Sequence, residues 1–301
     1  MRRLLGISLI AIGILIAIVS VGKPLLPSWD FRTGWQAGES HILPIEDVKR
    51  IDINVQSAAV YISTAETDQI GLELKKREGS QSTIETIQQG ERLIVKVNQS
   101  SFNFLGGIIA LFSGQFKEEL YVTLPHNYSE SLYVKSSSGS LAISGLEKLQ
   151  DLDVDISSGS VTIEDVSVES FRYDGSSGRL TVRDLQAELN DIKISSGKVN
   201  LERIAGEIRG KSSSGSVTID MVSLDAPVKW QGSSGTITLH LPETSSFELT
   251  ASTSSGSVYS DFPLMVHAQS RRDLKGTVGN GDVPIELRVS SGKINIERNH
   301  R

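Results

Sequence analysis

The fold is decided by residues 152–166, LDVDISSGSVTIEDV, where apolar and polar residues alternate on both sides of a Ser-Ser-Gly tripeptide. Leu152, Val154 and Ile156 occupy alternate positions before the tripeptide, and the alternation resumes after Gly159. A period of two predicts a β-strand with one buried face, and a glycine between two such runs predicts a turn. The stretch therefore predicts a strand, a corner and a second strand.

The Ser-Ser-Gly tripeptide recurs eight times, and successive glycines are 18 to 21 residues apart except for the last interval of 36 residues. A fixed period of this length is typical of a solenoid, in which stacked units bury a face that one unit cannot bury alone. The sequence therefore predicts an all-β fold, a β-solenoid (β-helix) of about 20-residue repeats, and parallel crossovers favour a right-handed coil. The predicted repeat corners are Gly139, Gly159, Gly178, Gly197, Gly215, Gly235, Gly256 and Gly292.

Each residue of the tripeptide has a structural explanation in this interpretation. Glycine adopts a positive φ at a corner without steric cost. Stacked serine hydroxyls are expected to hydrogen-bond neighbouring turns of the coil. A nucleophilic serine would need a positioned base, so the structural interpretation is favoured over a catalytic one.

The positions after each glycine predict which side chains face the core and which face solvent. Residues two, four and seven positions after the glycine are expected to be buried, for example Val217, Ile219 and Val222. Residues five positions after the glycine are expected to be exposed and to stack between repeats. In three successive repeats they form a predicted ladder of alternating charge, Glu164, Arg183 and Glu202.

The N-terminal residues predict a membrane anchor. Residues 4–21 carry no charge and would span about 27 Å as a helix, close to a hydrocarbon core of about 30 Å. Arg2 and Arg3 precede this run, so the positive-inside rule places the N-terminus in the cytoplasm and the following chain outside. We therefore expect one transmembrane helix over residues 1–21 and a single-pass protein of the cell membrane with an extracytoplasmic C-terminal domain. A cleaved signal peptide is the alternative.

Three segments follow the predicted anchor. Residues 22–46 contain three prolines without a clean period and predict a stalk. Residues 47–136 predict degenerate coils, because Gln56-Ser57-Ala58 replaces Ser-Ser-Gly and the first repeat glycine lies 81 residues later, about four periods. Alanine does not adopt a positive φ cheaply, so this corner should differ from the others. Residues 137–297 predict the Ser-Ser-Gly repeat solenoid.

An apolar, uncharged insertion, SFNFLGGIIALFSGQF, occupies residues 101–116 within the degenerate coils. One interpretation is a cap that covers the open end of the solenoid and its strand edges. The other is a loop that contacts the membrane or a partner helix. In the second interpretation the contacting side chains are Phe102, Phe104, Leu105, Ile108, Ile109, Leu111 and Phe112.

The interval between Gly256 and Gly292 is nearly a double period. Asn280-Gly281 lies within it and is a strong signal for a hairpin turn. We therefore expect an irregular penultimate coil that closes the C-terminal end of the solenoid.

Composition excludes several classes of function. The net charge is −6, and after residue 23 the chain has 27 basic against 36 acidic residues, so nucleic acid is not an expected partner. The absence of cysteine excludes disulfides, thiol nucleophiles, cysteine-ligated zinc and a lipoprotein anchor. No catalytic, cofactor-binding or metal-ligating residue is predicted, because the histidines have no mutual spacing that suggests a metal site. They are His41, His126, His240, His267 and His300.

The other candidates for chemistry are weak. Asp151, Asp153 and Asp155 alternate along one predicted strand face but lack the glycine turn and distal glutamate of a calcium loop. Two of them, Asp153 and Asp155, are the candidate carboxylates for a β-helical carbohydrate-active enzyme. Gly210-Lys211-Ser212 resembles a phosphate loop, but Ala205 occupies the position where that motif requires glycine, so the segment is interpreted as a repeat corner.

Three stretches resemble a bacterial family of candidate adhesins built from β-strand repeats. They are the repeated Ser-Ser-Gly-x-Val-x-Ile units, LPHNYSESLYVKSSSG at residues 124–139 and LKGTVGNGDVPIELRVSSGKINI at residues 274–296. Together with the N-terminal apolar run, the chain is similar to the LiaG-like members of envelope-stress operons in Firmicutes. The resemblance implies an extracytoplasmic membrane protein of the cell envelope and provides no catalytic residues.

These observations lead to one expected function and two alternatives. We expect a non-enzymatic, membrane-anchored, adhesin-like scaffold without a cofactor, whose partners are the membrane and envelope proteins or a cell-wall polymer. The first alternative is a regulatory partner of a membrane envelope-stress sensor. The second is the carbohydrate-active enzyme.

Overall fold

The regular elements of the protein are β-strands whose residues alternate between buried and exposed. The computed structural model describes residues 35–36, 38–77, 80–98 and 118–299, and the chain from Gln36 onward forms one unit. The strands are β1 (Trp35–Gln36), β2 (Ser40–Pro44), β3 (Arg50–Ala65), β4 (Gln69–Arg77), β5 (Thr83–Gln89), β6 (Arg92–Asn98), β7 (Glu118–Pro125), β8 (Ser131–Ser144), β9 (Leu149–Met221), β10 (Val228–Leu241), β11 (Phe247–Ser260), β12 (Met265–Gln269), β13 (Asp273–Val278) and β14 (Val283–Arg298).

Successive repeats stack as parallel strands in register, and each strand–corner–strand unit forms one rung. Gly139 is paired with Gly159, and Gly215 is paired with Gly235, with the apolar positions on both sides also aligned. The aligned aliphatic residues form one continuous core, in which Val161 is 1% exposed. The prediction of an all-β, solenoid-like repeat fold is confirmed. The handedness of the coil stays a prediction.

Two constraints require glycine at the corners. The eight repeat glycines have φ between 124° and 148°, a region that residues with a Cβ rarely adopt. A Cβ on any of them would lie 1.7–2.2 Å from the carbonyl oxygen of the residue below it in the stack. Ala58 keeps the register by pairing with Gly139, but it is not among the residues with positive φ. Its corner therefore differs from the others, as predicted.

A second turn follows six residues after the glycine in several rungs. Asp165, Asp184 and Arg203 have φ between 53° and 55°, so they turn the chain through the left-handed region. The next residue then faces the core, as the sequence predicted. Met221 occupies the equivalent position without a positive φ, and it is itself buried, whereas Val222 is 59% exposed. The prediction that Val222 is a core residue is therefore wrong, because its rung lacks the second turn.

The N-terminal end differs from the predicted series of degenerate coils. β3 lies directly beside β8, with Ala58 paired to Gly139, so no coil separates them. On its other side, β3 pairs in parallel with β6 at residues 50–54 and with β7 at residues 58–65, so two strands together form the outermost rung. Antiparallel strands cover this end, since β4 pairs with β7, β2 pairs with β4, and β5 and β6 form a hairpin. The 81 residues between Ala58 and Gly139, about four repeat periods, therefore form mainly these strands and not further coils.

The C-terminal end is also stacked out of sequence order. β14 pairs in parallel with β10 on one side and with β11 on the other, so the Gly292 corner lies between Gly235 and Gly256. β13 then pairs antiparallel with β11, and β12 pairs with β13 at the end of the sheet. Asn280-Gly281 joins β13 to β14, which pair with opposite sides of β11, so the predicted hairpin is wrong.

Large aromatic side chains fit into the stack where a neighbouring position is glycine. Trp230 is fully buried, and its ring occupies the space that a Cβ on Gly210 would need, at 1.9 Å. The indole Nε1 donates a hydrogen bond to Ser212 Oγ at 3.1 Å. Tyr173 is likewise buried, against Gly175, which lies two residues further along the same strand. Glycine therefore makes room for a large aromatic ring, on the neighbouring rung for Trp230 and on the same rung for Tyr173.

Two predicted segments, the transmembrane helix of residues 1–21 and the insertion of residues 101–116, lie entirely outside the described residues, as do residues 22–34 of the predicted stalk. Within the part of the chain that the structure describes, no helix has the length and apolar character needed to cross a membrane.

Candidate functional site

The exposed side chains at the Ser-Ser-Gly corners form a continuous row, here called the corner ridge. Both serines of the tripeptide are exposed in every rung from Gly159 to Gly292. The residue three positions before the glycine is buried or half-buried, and the chain then turns outward, so two consecutive serines face solvent. In these rungs, no serine side chain of the tripeptide hydrogen-bonds another rung among the described residues, contrary to expectation. At the Gly139 corner, however, Ser138 Oγ donates to the carbonyl oxygen of Gln56 in the next rung at 3.5 Å, as expected. The serines therefore present their hydroxyls at the surface.

An open groove of about 800 Å³, here called the corner groove, follows one side of the corner ridge. Besides serines, its polar lining comes largely from the residues four positions before each glycine, which stack across the rungs. These residues lie directly beside one another on adjacent strands, because Gln231 pairs with Lys211 on one side and with Arg288 on the other. The charged residues lining the groove are Asp174, Lys193, Lys211, Arg288 and Asp273.

The basic residues of the corner groove are poorly neutralised. Lys193 Nζ lies 3.3 Å from Asp191 Oδ2, but within the described residues no carboxylate forms an ion pair with Lys211 or Arg288. The rungs of Lys193 and Lys211 are adjacent, since a Cβ on Gly215 would meet the backbone of the Gly197 corner. Like charges on neighbouring strands repel each other, so this arrangement does not serve stability.

Further bases lie on the opposite side of the corner ridge, one position after the glycine. These exposed residues have no ion-pair partner in the part of the chain that the structure describes, and they are Arg179, Lys198 and Lys293. This basic band was not predicted from the sequence, because the exposed side chains compared there were those five positions after the glycine. The bases recur instead four positions before and one position after several of the repeat glycines.

Five positions after the glycine, by contrast, exposed side chains of opposite charge pair between successive rungs. Arg183 Nη1 donates to Glu164 Oε1 at 2.5 Å, and Arg183 Nε donates to Glu202 Oε2 at 2.8 Å. The hydrogen bonds to these two carboxylates raise the pKa of Arg183 above its ordinary value. The predicted ladder of alternating charge is therefore present, and it contrasts with Lys211 and Arg288 of the corner groove, which have no carboxylate partner among the described residues.

The three aspartates considered for calcium or catalysis have separate partners. Asp151 accepts from Ser131 at 3.0 Å, Asp153 from Arg172 at 3.0 Å, and Asp155 from Lys135 at 2.8 Å. Burial raises the pKa of Asp153, while the nearby Arg172 opposes this shift. Among the described residues, no group of three or more histidines and carboxylates could hold a metal ion. On this face of the solenoid, each aspartate is therefore held by a hydroxyl or a basic side chain of a neighbouring rung.

The histidines are dispersed, and those within the described residues each contact a single partner. His300 lies outside these residues. The contacts are His41 with Glu39 at 2.7 Å, His126 with Glu147 at 3.9 Å, His240 with Glu297 at 3.3 Å and His267 with Thr277 at 2.8 Å.

The insertion proposed as a contact loop has a defined position in the chain, although its residues lie outside those described. β6 ends at Asn98, soon after the residue paired with Asn54, and β7 begins at Glu118, which pairs with Ala58. Residues 99–117 therefore replace a corner that the next rung makes with Gln56-Ser57-Ala58. The side chains predicted to make this contact lie outside the described residues, and they are Phe102, Phe104, Leu105, Ile108, Ile109, Leu111 and Phe112.

Comparison with known proteins supports the resemblance found in the sequence. A candidate adhesin from Bacteroides fragilis has a similar structure, with 11% identity, a TM-score of 0.52, and coverage of 87% of this chain and 96% of that one. A candidate adhesin from Parabacteroides distasonis has 12% identity, a TM-score of 0.47, and coverage of 87% and 98%. No curated protein matches the sequence. The family model for Toastrack DUF4097 matches residues 48–297, and the chain therefore belongs to this family.

Proposed function

We propose that this protein is a non-enzymatic, membrane-anchored scaffold that presents an adhesin-like binding surface outside the membrane of a bacterial cell. The observation that carries the proposal is the corner ridge, in which exposed serines repeat from rung to rung along parallel strands. Parallel strands in a sheet are about 4.8 Å apart, so the ridge offers polar groups at a fixed short spacing. Repeat proteins commonly use such regular surfaces for binding.

Two further observations support this proposal. The uncharged run at residues 4–21 has the length of a membrane span and follows Arg2 and Arg3. The similar structures described above are candidate adhesins, although identities near 11% compare folds only.

The location of the solenoid can be tested by single-cysteine labelling, because the natural chain contains no cysteine. Ser158 is an exposed residue of the corner ridge, so Ser158→Cys should react with a membrane-impermeant maleimide on intact cells. Arg3→Cys should react only after the cells are lysed. The unmodified protein is the control for background labelling. Labelling of Ser158→Cys only after lysis would exclude an extracytoplasmic scaffold.

A second candidate function is regulation of a membrane stress sensor through the insertion of residues 101–116. The specific observation is that residues 99–117 replace a short corner at the outermost N-terminal rung, between β6 and β7. Apolar, uncharged stretches such as residues 101–116 are typical of contacts with a membrane or another protein. The insertion also agrees with a simple cap over the strand edges, so the two interpretations need a direct test.

Deletion of residues 101–116 distinguishes these interpretations. If the insertion contacts a sensor, in-cell cross-linking to one membrane protein should be lost while the thermal stability of the solenoid is unchanged. If it is a cap, the deletion should lower the melting temperature. Unchanged cross-linking after the deletion would exclude the regulatory role through this segment.

A further inference from the structure

The charge distribution around the corner ridge is opposite to that of the whole chain. The protein has a net charge of −6. In the six rungs from Gly178 to Gly292, however, the positions from four before to one after the glycine contain six bases and only one acid, Asp174. These bases are exposed and lie on both sides of the serine row, at Arg179, Lys193, Lys198, Lys211, Arg288 and Lys293. The ridge is therefore a basic band on an acidic protein.

The corner groove gives this band a defined length. Lys193, Lys211 and Arg288 lie on rungs separated by one and then two steps, with Gln231 between the last two. At about 4.8 Å for each step, this basic stretch is about 14 Å long. Acidic residues mark its limits, because Asp174 lines one end and Asp273 lines the other. The positive charge is thus concentrated in the middle rungs.

The lining of the groove also indicates the chemistry of an occupant. Serine hydroxyls from five stacked corners, Gln231 and the three bases offer many donors, and hydroxyls can also accept hydrogen bonds. Among the described residues, no aromatic side chain lines the groove, whereas nucleic-acid bases are usually held by stacking on aromatic rings. Lys211 and Arg288 have no carboxylate partner among the described residues, so they are available to pair with an anion.

We propose that the corner groove binds a linear, hydroxyl-bearing polyanion that lies along the stack of rungs. Its anionic groups pair with Lys193, Lys211 and Arg288, and its hydroxyls hydrogen-bond the serines of the corner ridge. The shared chemistry is found in polyol phosphates and in acidic polysaccharides. This inference rests on the proposed function, because it names the class of ligand that the adhesin-like surface binds.

The test measures binding of three polymers to the purified full-length protein in detergent micelles. The probes are poly(glycerol phosphate), polygalacturonate and neutral dextran of similar length. The double variant Lys211→Gln/Arg288→Gln should weaken binding of the anionic probe at least tenfold, and added salt should weaken binding to the unmodified protein. The matched control, Lys49→Gln/Lys96→Gln, removes two bases at the N-terminal end and should change binding less than twofold.

The outcomes separate the possible sources of the ligand. Binding of poly(glycerol phosphate) alone would identify a phosphate-bearing ligand, and binding of polygalacturonate alone would identify a carboxylate-bearing one. Equal binding of dextran, no binding of either polyanion, or equal losses in the two double variants would overturn the inference. The melting temperature should be unchanged in Lys211→Gln/Arg288→Gln, since both side chains are exposed and have no carboxylate partner among the described residues. It should change little in the control, since Lys49 is exposed, its ion pair with Glu91 is at the surface and Lys96 is only half-buried. Maleimide labelling of Ser158→Cys on intact cells remains a separate test, so the scaffold can be extracytoplasmic even if this groove binds no polyanion.

Discussion

Replacing Gly197 by alanine is expected to destabilise the solenoid by at least 3 kcal/mol. Gly197 has a φ of 134°, which is unfavourable for alanine, and its added Cβ would lie 1.9 Å from the carbonyl oxygen of Gly178. Because that oxygen belongs to the next rung, relief would require the two strands to move apart. Urea denaturation of the purified protein, followed by circular dichroism, would measure the change.

Gly90 provides a control in which a positive φ occurs without any contact between rungs. It has a φ of 60°, but nothing lies within 4 Å of the position that its Cβ would take. Gly90→Ala should therefore cost only about 1 kcal/mol, the usual penalty for alanine in the left-handed region. Equal losses in the two variants would show that backbone conformation alone, and not contact between rungs, requires glycine at the corners.

A chain that ends at residue 282 should lose the C-terminal part of the solenoid. The deletion removes β14, whose buried residues include Ile285, Leu287 and Ile294, from between β10 and β11. Each buried aliphatic side chain contributes about 2 kcal/mol, so the loss is comparable with the whole stability of a domain. Hydrogen exchange should show unprotected amides in β11 and β13, while β8 stays protected.

A chain that ends at Asn299 is the control, since it keeps all of β14. Adding a synthetic peptide of residues 283–298 to the shorter chain should restore protection in β11, because the peptide can refill the vacant position between two strands. Full protection of β11 without the peptide would mean that β10 and β11 pair directly and that β14 is not needed.

The sequence predicts the rung but not the order in which all rungs stack. Alternation around Gly159 defines the buried face, and the opposite charges at Glu164 and Arg183 agree with the register between adjacent repeats. Near both ends the period is interrupted, and the order then depends on which strand edges remain available. β14 pairs between β10 and β11, and β3 pairs beside β8, through long-range contacts that no local pattern indicates.

The corner groove was less predictable than the fold for a different physical reason. Apolar residues at a regular spacing indicate which side chains are buried, so they predict the core. A binding surface depends instead on which exposed side chains of different rungs become neighbours. Lys211 and Arg288 are 77 residues apart in the chain and belong to rungs that flank Gln231. Their proximity follows from the insertion of β14, which the regular spacing of the repeats did not indicate.

The order of the corners at the C-terminal end is the central structural claim, and disulfide cross-linking tests it directly. Ser234 pairs with Ser291, and Ser291 pairs with Ser255, so these pairs are on neighbouring strands. A disulfide joins Cα atoms about 4.4–6.8 Å apart, which includes the spacing of adjacent strands but not of strands two steps apart. Oxidation should therefore cross-link Ser234→Cys with Ser291→Cys, and Ser291→Cys with Ser255→Cys, while Ser234→Cys with Ser255→Cys stays reduced. Efficient cross-linking of that last pair, without the other two, would contradict the stacked arrangement and the groove that depends on it.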